Sequence, residues 1–226
     1  MPIHTIQHKL QNMRTKTLIC FATAIAAGVA TSMAQSNVYS LNIVGYVNKT
    51  FTGGTPAKFT AVSNPLNTTN NTLNNLINGP QVPLFANYYR WTGAGFQVAT
   101  YTGTWDTNLT VNPGEGGFLL TDTTFTNTFV GEVVLDSTNH FNSGFSFKAS
   151  AVPQAANLDA LGLSASLGLF DNVLLWDFGA QGYVTYTYTA PGWSSPPGTP
   201  SVGVAESFFI NSSAPGDWVR HFTVGP

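Results

Sequence analysis

The chain has 226 residues, with eight Lys and Arg, ten Asp and Glu, four His and a single Cys. Charged residues make up only 8% of it, and they form none of the basic clusters a nucleic-acid binder needs. One cysteine excludes a disulfide framework.

The first segment reads as an export signal. Lys9, Arg14 and Lys16 form a positive region, Leu18 to Ala30 is apolar, and Ser32-Met33-Ala34 has small residues where a signal peptidase reads. Cleavage is expected after Ala34. The apolar run of 13 residues is short for a membrane span, which needs about 20. Its removal takes away the cysteine and three basic residues. Five Lys and Arg then face ten Asp and Glu, a net charge near −5. No second apolar stretch of spanning length follows, so no stable membrane span is expected after cleavage.

The remainder reads as strands and turns. Val38 to Val47 is rich in β-branched and aromatic residues and predicts a strand with a bend or bulge at Gly45. Thr50 to Thr55 predicts a turn, and Lys58 to Val62 a second strand stopped at Asn64-Pro65. Leu73, Leu76 and Ile77 fall at helical spacing within 66–78, with Asn70 or Asn71 as cap. A hairpin is predicted from Asn87–Trp91 through Gly93 and Gly95 to Phe96–Tyr101. Asn112–Leu120 and Thr128–Val134 complete this stretch as strands.

The second half repeats that order. Asn157 is placed to cap an element carrying Leu158, Leu161 and Leu163. Val173–Trp176 and Tyr183–Tyr188 flank a glycine turn, and Val202–Ile210 and Trp218–Val224 follow. Similarity in order and type at a fixed period signals a repeated architecture. The expected fold is all-β, or β-dominated: two tandem related β modules, each with one short helical element. The expected divisions are a signal peptide 1–34, an N-terminal strand region 35–57, a first module 58–134, a junction 135–144 and a second module 145–226.

The repeat pairs the candidate site residues. Trp91 and Trp176 each end a strand before a glycine turn and are expected in the module core. Glu115 and Glu206 each stand before an apolar strand, and a structural role is expected, either capping local backbone amides or pairing with a neighbouring strand. Trp105 and Trp193 sit among Gly, Thr, Asp, Ser and Pro. They are expected to be exposed and, with Tyr186 and Tyr188, to offer a binding surface. No cofactor is implied. His140 and His221 are too far apart in sequence to signal a metal site, and neither a calcium-loop pattern nor Gly-x-Ser-x-Gly occurs.

The segment Asn37-Val38-Tyr39-Ser40-Leu41-Asn42-Ile43-Val44-Gly45-Tyr46-Val47-Asn48 resembles the start of a large group of secreted proteins from Verrucomicrobia and related bacteria. Pro113-Gly114-Glu115-Gly116-Gly117-Phe118 and Phe129-Val130-Gly131-Glu132-Val133 resemble further segments of that group. In the second half, Val204-Ala205-Glu206-Ser207 keeps only the acid. The resemblance implies export and a β-rich module, and it carries over no catalytic residues.

These readings converge on a secreted, non-catalytic structural, adhesive or recognition protein of the envelope or extracellular space. A carbohydrate-binding protein acting through loop tryptophans is the alternative. A glycan hydrolase is the third, and it requires two acids about 5–9 Å apart. The partners in view are a glycan, another envelope protein, or a second copy in a homo-oligomer. An open strand edge or an apolar patch favours association through added strands.

Overall fold

Alternation of apolar with polar residues and glycine-marked reversals produce a strand-dominated fold. The structure is a computed structural model that describes residues 43–190, 192–194 and 198–223. The first half contains β1 (Val44–Phe51), β2 (Lys58–Ser63), a helical turn α1 (Leu73–Leu76), β3 (Asn87–Trp91), β4 (Phe96–Thr100), β5 (Gly116–Thr121) and β6 (Phe125–Glu132). The second half contains β7 (Asp136–Phe141), β8 (Gly144–Ala149), β9 (Ala156–Asn157), a 3₁₀ turn (Leu163–Ser166), β10 (Asn172–Asp177) and β11 (Gly182–Tyr188). It continues with β12 (Trp193–Ser194), β13 (Ser201–Val202), β14 (Ser207–Ser212) and β15 (Gly216–His221). No helix among the described residues is long and apolar enough to cross a membrane.

A four-stranded sheet runs in the order β2-β5-β3-β4 and a five-stranded sheet in the order β8-β14-β10-β11-β12. All their ladders are antiparallel. Two ribbons, β1·β6 and β7·β15, flank them in the same chain order.

Successive side chains of a strand point to opposite faces, and this explains how each sheet is buried on both sides. Val62, Tyr88 and Leu119 join Phe51, Phe125 and Phe129 of the first ribbon in one core. Val173, Phe208 and Ile210 join Phe141 and Trp218 in a second. The intervening residues point the other way and meet in a shared layer of Ala61, Phe118, Phe147 and Phe209. Phe147 and Phe209 stack there with ring centroids 4.3 Å apart.

The contacts across this layer are reciprocal. The Trp91 indole donates to the Phe145 carbonyl at 3.0 Å, and the Trp176 indole donates to the Phe59 carbonyl at 3.0 Å. The Ser63 amide donates to the Ala205 carbonyl at 3.2 Å, and the Ala149 amide donates to the Gly114 carbonyl at 3.0 Å.

Several expectations change. Val38–Asn42 lie outside the described residues, but from Val44 the strand runs in unbroken register with β6 through Phe51. There is no bulge at Gly45. A Cβ there would stand 2.8 Å from Leu66 Cδ2, so the glycine lets that buried leucine approach the strand. The turn predicted from Thr50 starts later, because Phe51 is fully buried and stacks on Phe125 at 5.0 Å.

The short helical element expected within 66–78 is a single turn. Thr72 is its N-cap residue, without a side-chain cap. Asn71 bonds sideways instead, accepting from the Thr68 amide and donating to Asn67. Short polar side chains that bond nearby groups compete with helix in this way. Asn157 accepts from the Ala160 amide at 2.7 Å, but it heads a turn, and the helical element there is the 3₁₀ turn from Leu163. Residues 135–144 contain β7, paired along its length with β15.

Candidate functional site

The ends of the shared layer open into two clefts, each walled by both halves of the chain. One, of about 240 Å³, is lined by Trp176, Phe178 and Glu206 from the second half and by Lys49, Thr50 and Thr60 from the first. The other, of about 400 Å³, is lined by Trp91, Arg90 and Glu115 from the first half and by Asn142, Ser146 and Lys148 from the second. The tryptophans hold matching positions, on β3 and β10, and the glutamates precede β5 and β14.

Each glutamate is anchored locally. Glu115 Oε2 accepts from the Asn112 amide at 2.9 Å, and Glu206 Oε2 accepts from the Gly203 amide at 2.8 Å. Each tryptophan is half-buried, with its indole fixed by the cross-layer hydrogen bond described above. Lys49 and Lys148 are half-buried too. Burial pushes both ammonium groups below the usual lysine range, opposed by the charge of Glu206 on Lys49 and of Glu115 on Lys148. Burying a cation disfavours its charged form, and a nearby carboxylate restores part of it. Thr60 Oγ1, in the smaller cleft, is buried without a hydrogen-bond partner.

The predicted loop surface does not form as expected. Trp105 is only 3% exposed, and its indole donates to the Ile77 carbonyl. Tyr101 bridges back to Trp105 and packs its ring at 5.4 Å, folding the polar loop over the core. The apolar area of an indole outweighs its polar neighbours once its N–H finds a partner. Trp105 is therefore a core residue and not the exposed loop residue expected. Trp193 is half-buried, donates to Asp159 at 2.9 Å and packs on Tyr188 at 5.3 Å. Tyr186 and Tyr188 are half-buried on β11. The structure does not bring Trp105 and Trp193 onto one surface.

Two exposed features escaped the sequence reading. Phe85 and Phe170 are 73% and 72% exposed, beside exposed Leu84 and Leu169. Both phenylalanines adopt left-handed backbone, with φ of 68° and 67°. Their amides donate to the carbonyls of Tyr101 and Tyr188, each at 2.8 Å. The repeated Leu-Phe-x-Asn at 84–87 and 169–172 was the available signal. The second feature is the pair of outer strands. β4 ends its sheet, and β11 is covered by β12 only at Thr187 and Tyr188.

His140 pairs with Asp217 at 2.8 Å and His221 with Asp136 at 2.6 Å, both on exposed faces of the β7·β15 ribbon. No group of three metal-ligating side chains occurs among the described residues.

The fold defines an all-β, strand-dominated protein with minimal helical content. No family model matches the chain, and no curated protein or solved structure matches it.

Proposed function

We propose that the chain is an exported, non-catalytic structural, adhesive or recognition component of the envelope or extracellular space, built as two tandem related β modules. The modules are β1–β6 and β7–β15, and the protein associates with further copies through its outer strand edges. Export rests on the leader pattern of residues 1–34, and kinship with exported proteins of Verrucomicrobia and related bacteria rests on the opening segment. The tandem reading is supported by the common strand order β2-β5-β3-β4 and β8-β14-β10-β11, by the two flanking ribbons and by the reciprocal tryptophan bonds.

The observation that carries the association reading is the chemistry of the two edges. β4 reads Phe-Gln-Val-Ala-Thr and β11 reads Gly-Tyr-Val-Thr-Tyr-Thr-Tyr. Neither has a charge or a proline, the devices that normally protect a strand edge from pairing. At the opposite sheet ends, β2 and β8 make backbone contact with the other module through the Ser63 and Ala149 amides and the Glu115–Lys148 bridge, which leaves β4 and β11 as the outward edges. An exposed Leu-Phe pair sits at the end of each outer hairpin.

Light scattering over a concentration series tests this reading. The protein is expected to gain mass with concentration, and Val98→Lys with Thr185→Lys is expected to return it to monomer. A wild-type chain that stays monomeric throughout the series would refute association through these strands.

A further inference from the structure

We propose that the two clefts are a matched pair of binding sites for an acidic polysaccharide, each taking one uronate-bearing sugar against its tryptophan. The proposal uses the module pairing argued above and is independent of association through the strand edges.

Both clefts are assembled from the same parts: a half-buried indole, one glutamate, one lysine and short hydroxyl or amide side chains. The tryptophans and glutamates come from equivalent strand positions, as a repeat dictates. The lysines do not: Lys49 lies on β1 and Lys148 on β8. Two unrelated positions have thus placed an ammonium in the cleft of each equivalent glutamate. Charge balance alone would be served by a salt bridge, yet neither ammonium makes one or any hydrogen bond among the described residues. Each ammonium remains open to solvent in its cleft, so it has donors that an anionic group entering the cleft can take over from water.

The ligand class follows from the remaining groups. A pyranose ring presents C–H bonds to an aromatic face and hydroxyls at its rim, and the indoles are held in place for such contact by the Phe59 and Phe145 carbonyls. Holding a contact surface in its bound orientation lowers the ordering cost of binding. The glutamates use Oε2 for a backbone amide, and no hydrogen bond occupies Oε1 among the described residues, which leaves an acceptor for sugar hydroxyls. The ammonium groups select an anionic substituent, and a sugar carboxylate supplies it with the ring attached. Two sites on one body would hold a polymer more tightly than either site alone.

Calorimetric titration of the full chain with trigalacturonate is expected to give two bound oligomers per chain. Maltotriose and free acetate, the neutral-sugar and bare-anion arms, are expected to give none. Lys148→Gln should remove one site, Lys49→Gln the other, and the double variant both, with far-UV circular dichroism unchanged. The proposal fails if trigalacturonate does not bind, if it binds once per chain, if maltotriose or acetate binds as well, or if the double variant binds as the wild type does. Light scattering of the double variant should match that of the wild type, so a failure here is separable from a failure of strand-edge association.

Discussion

Asp171 shows how one side chain fixes a loop. It is buried, and its carboxylate accepts from the Gly168 amide at 2.8 Å, the Ser212 hydroxyl at 2.6 Å and the Ser213 amide at 2.8 Å. Burial pushes the carboxyl up, but the hydrogen bonds from Ser212, Ser213 and Gly168 outweigh it and hold the group below the usual carboxylate range. A depressed value in the folded state means the stabilisation is complete above the unfolded value of about 4 and is lost as pH falls through the folded one. Asp171→Asn is therefore expected to cost about 2 kcal/mol at pH 7, where hydrogen bonds to a charged group are lost. The cost should shrink as the pH drops below about 4. Urea unfolding at pH 7 and pH 3 checks this, and an equal cost at both would contradict it. Single side chains were the least legible part of the sequence. The polar flanks of Trp105 and Trp193 looked alike, yet one indole finds a carbonyl deep in the core and the other an aspartate at its margin. Lys49 and Lys148 carried no signal, because their importance comes from which strand lies across the layer from each glutamate.

At the scale of elements, the hairpins and the ribbon strands β1, β6 and β15 were legible, and β7 was not. Trp followed by glycine, with alternating residues on either side, specifies β3·β4 and β10·β11 locally. β7 reads Asp-Ser-Thr-Asn-His-Phe, which has little strand preference of its own, and its conformation depends on pairing with β15, more than 70 residues away. The helical element is short because leucine spacing describes one buried face, while the asparagines beside it bond the chain into turns. Close packing between strands supplies a test. On β5, a Cβ at Gly117 would lie 2.3 Å from Tyr88 Oη on the neighbouring β3. The Tyr88 hydroxyl is buried without a partner, and burial drives its phenol well above the usual range. Gly117→Ala is expected to destabilise by about 1–3 kcal/mol through overpacking. Tyr88→Phe is expected to be neutral or stabilising, since it removes an unsatisfied buried group. Thermal unfolding of the two variants distinguishes these signs, and a marked loss in Tyr88→Phe would mean the hydroxyl is bonded in solution.

The whole molecule depends on the aromatic layer. A unit of about 90 residues buries little more than about 60% of the surface its unfolded chain exposes, which leaves a marginal core. Here each sheet covers its second face with the other, so neither half has a finished surface alone. Phe209 joins the two: it stacks on Phe147 at 4.3 Å and meets Trp91 edge-on at 5.3 Å. Phe118 has the corresponding position on β5 and meets Trp176 at 4.9 Å. This coupling predicts one unfolding unit rather than two. Under mildly destabilising urea, amides of β5 and β14 should exchange with solvent at the same rate, because both open in the same global event. Phe209→Ala removes one ring from the centre of the layer, at a cost of about 3–5 kcal/mol. That loss falls on contacts between the halves as well as within them, so the rates for β5 and β14 should separate in the variant. Hydrogen exchange read by mass spectrometry measures both strands in one experiment. Different rates already present in the wild-type chain would show two independently stable bodies, and the shared layer would then be a contact between finished domains.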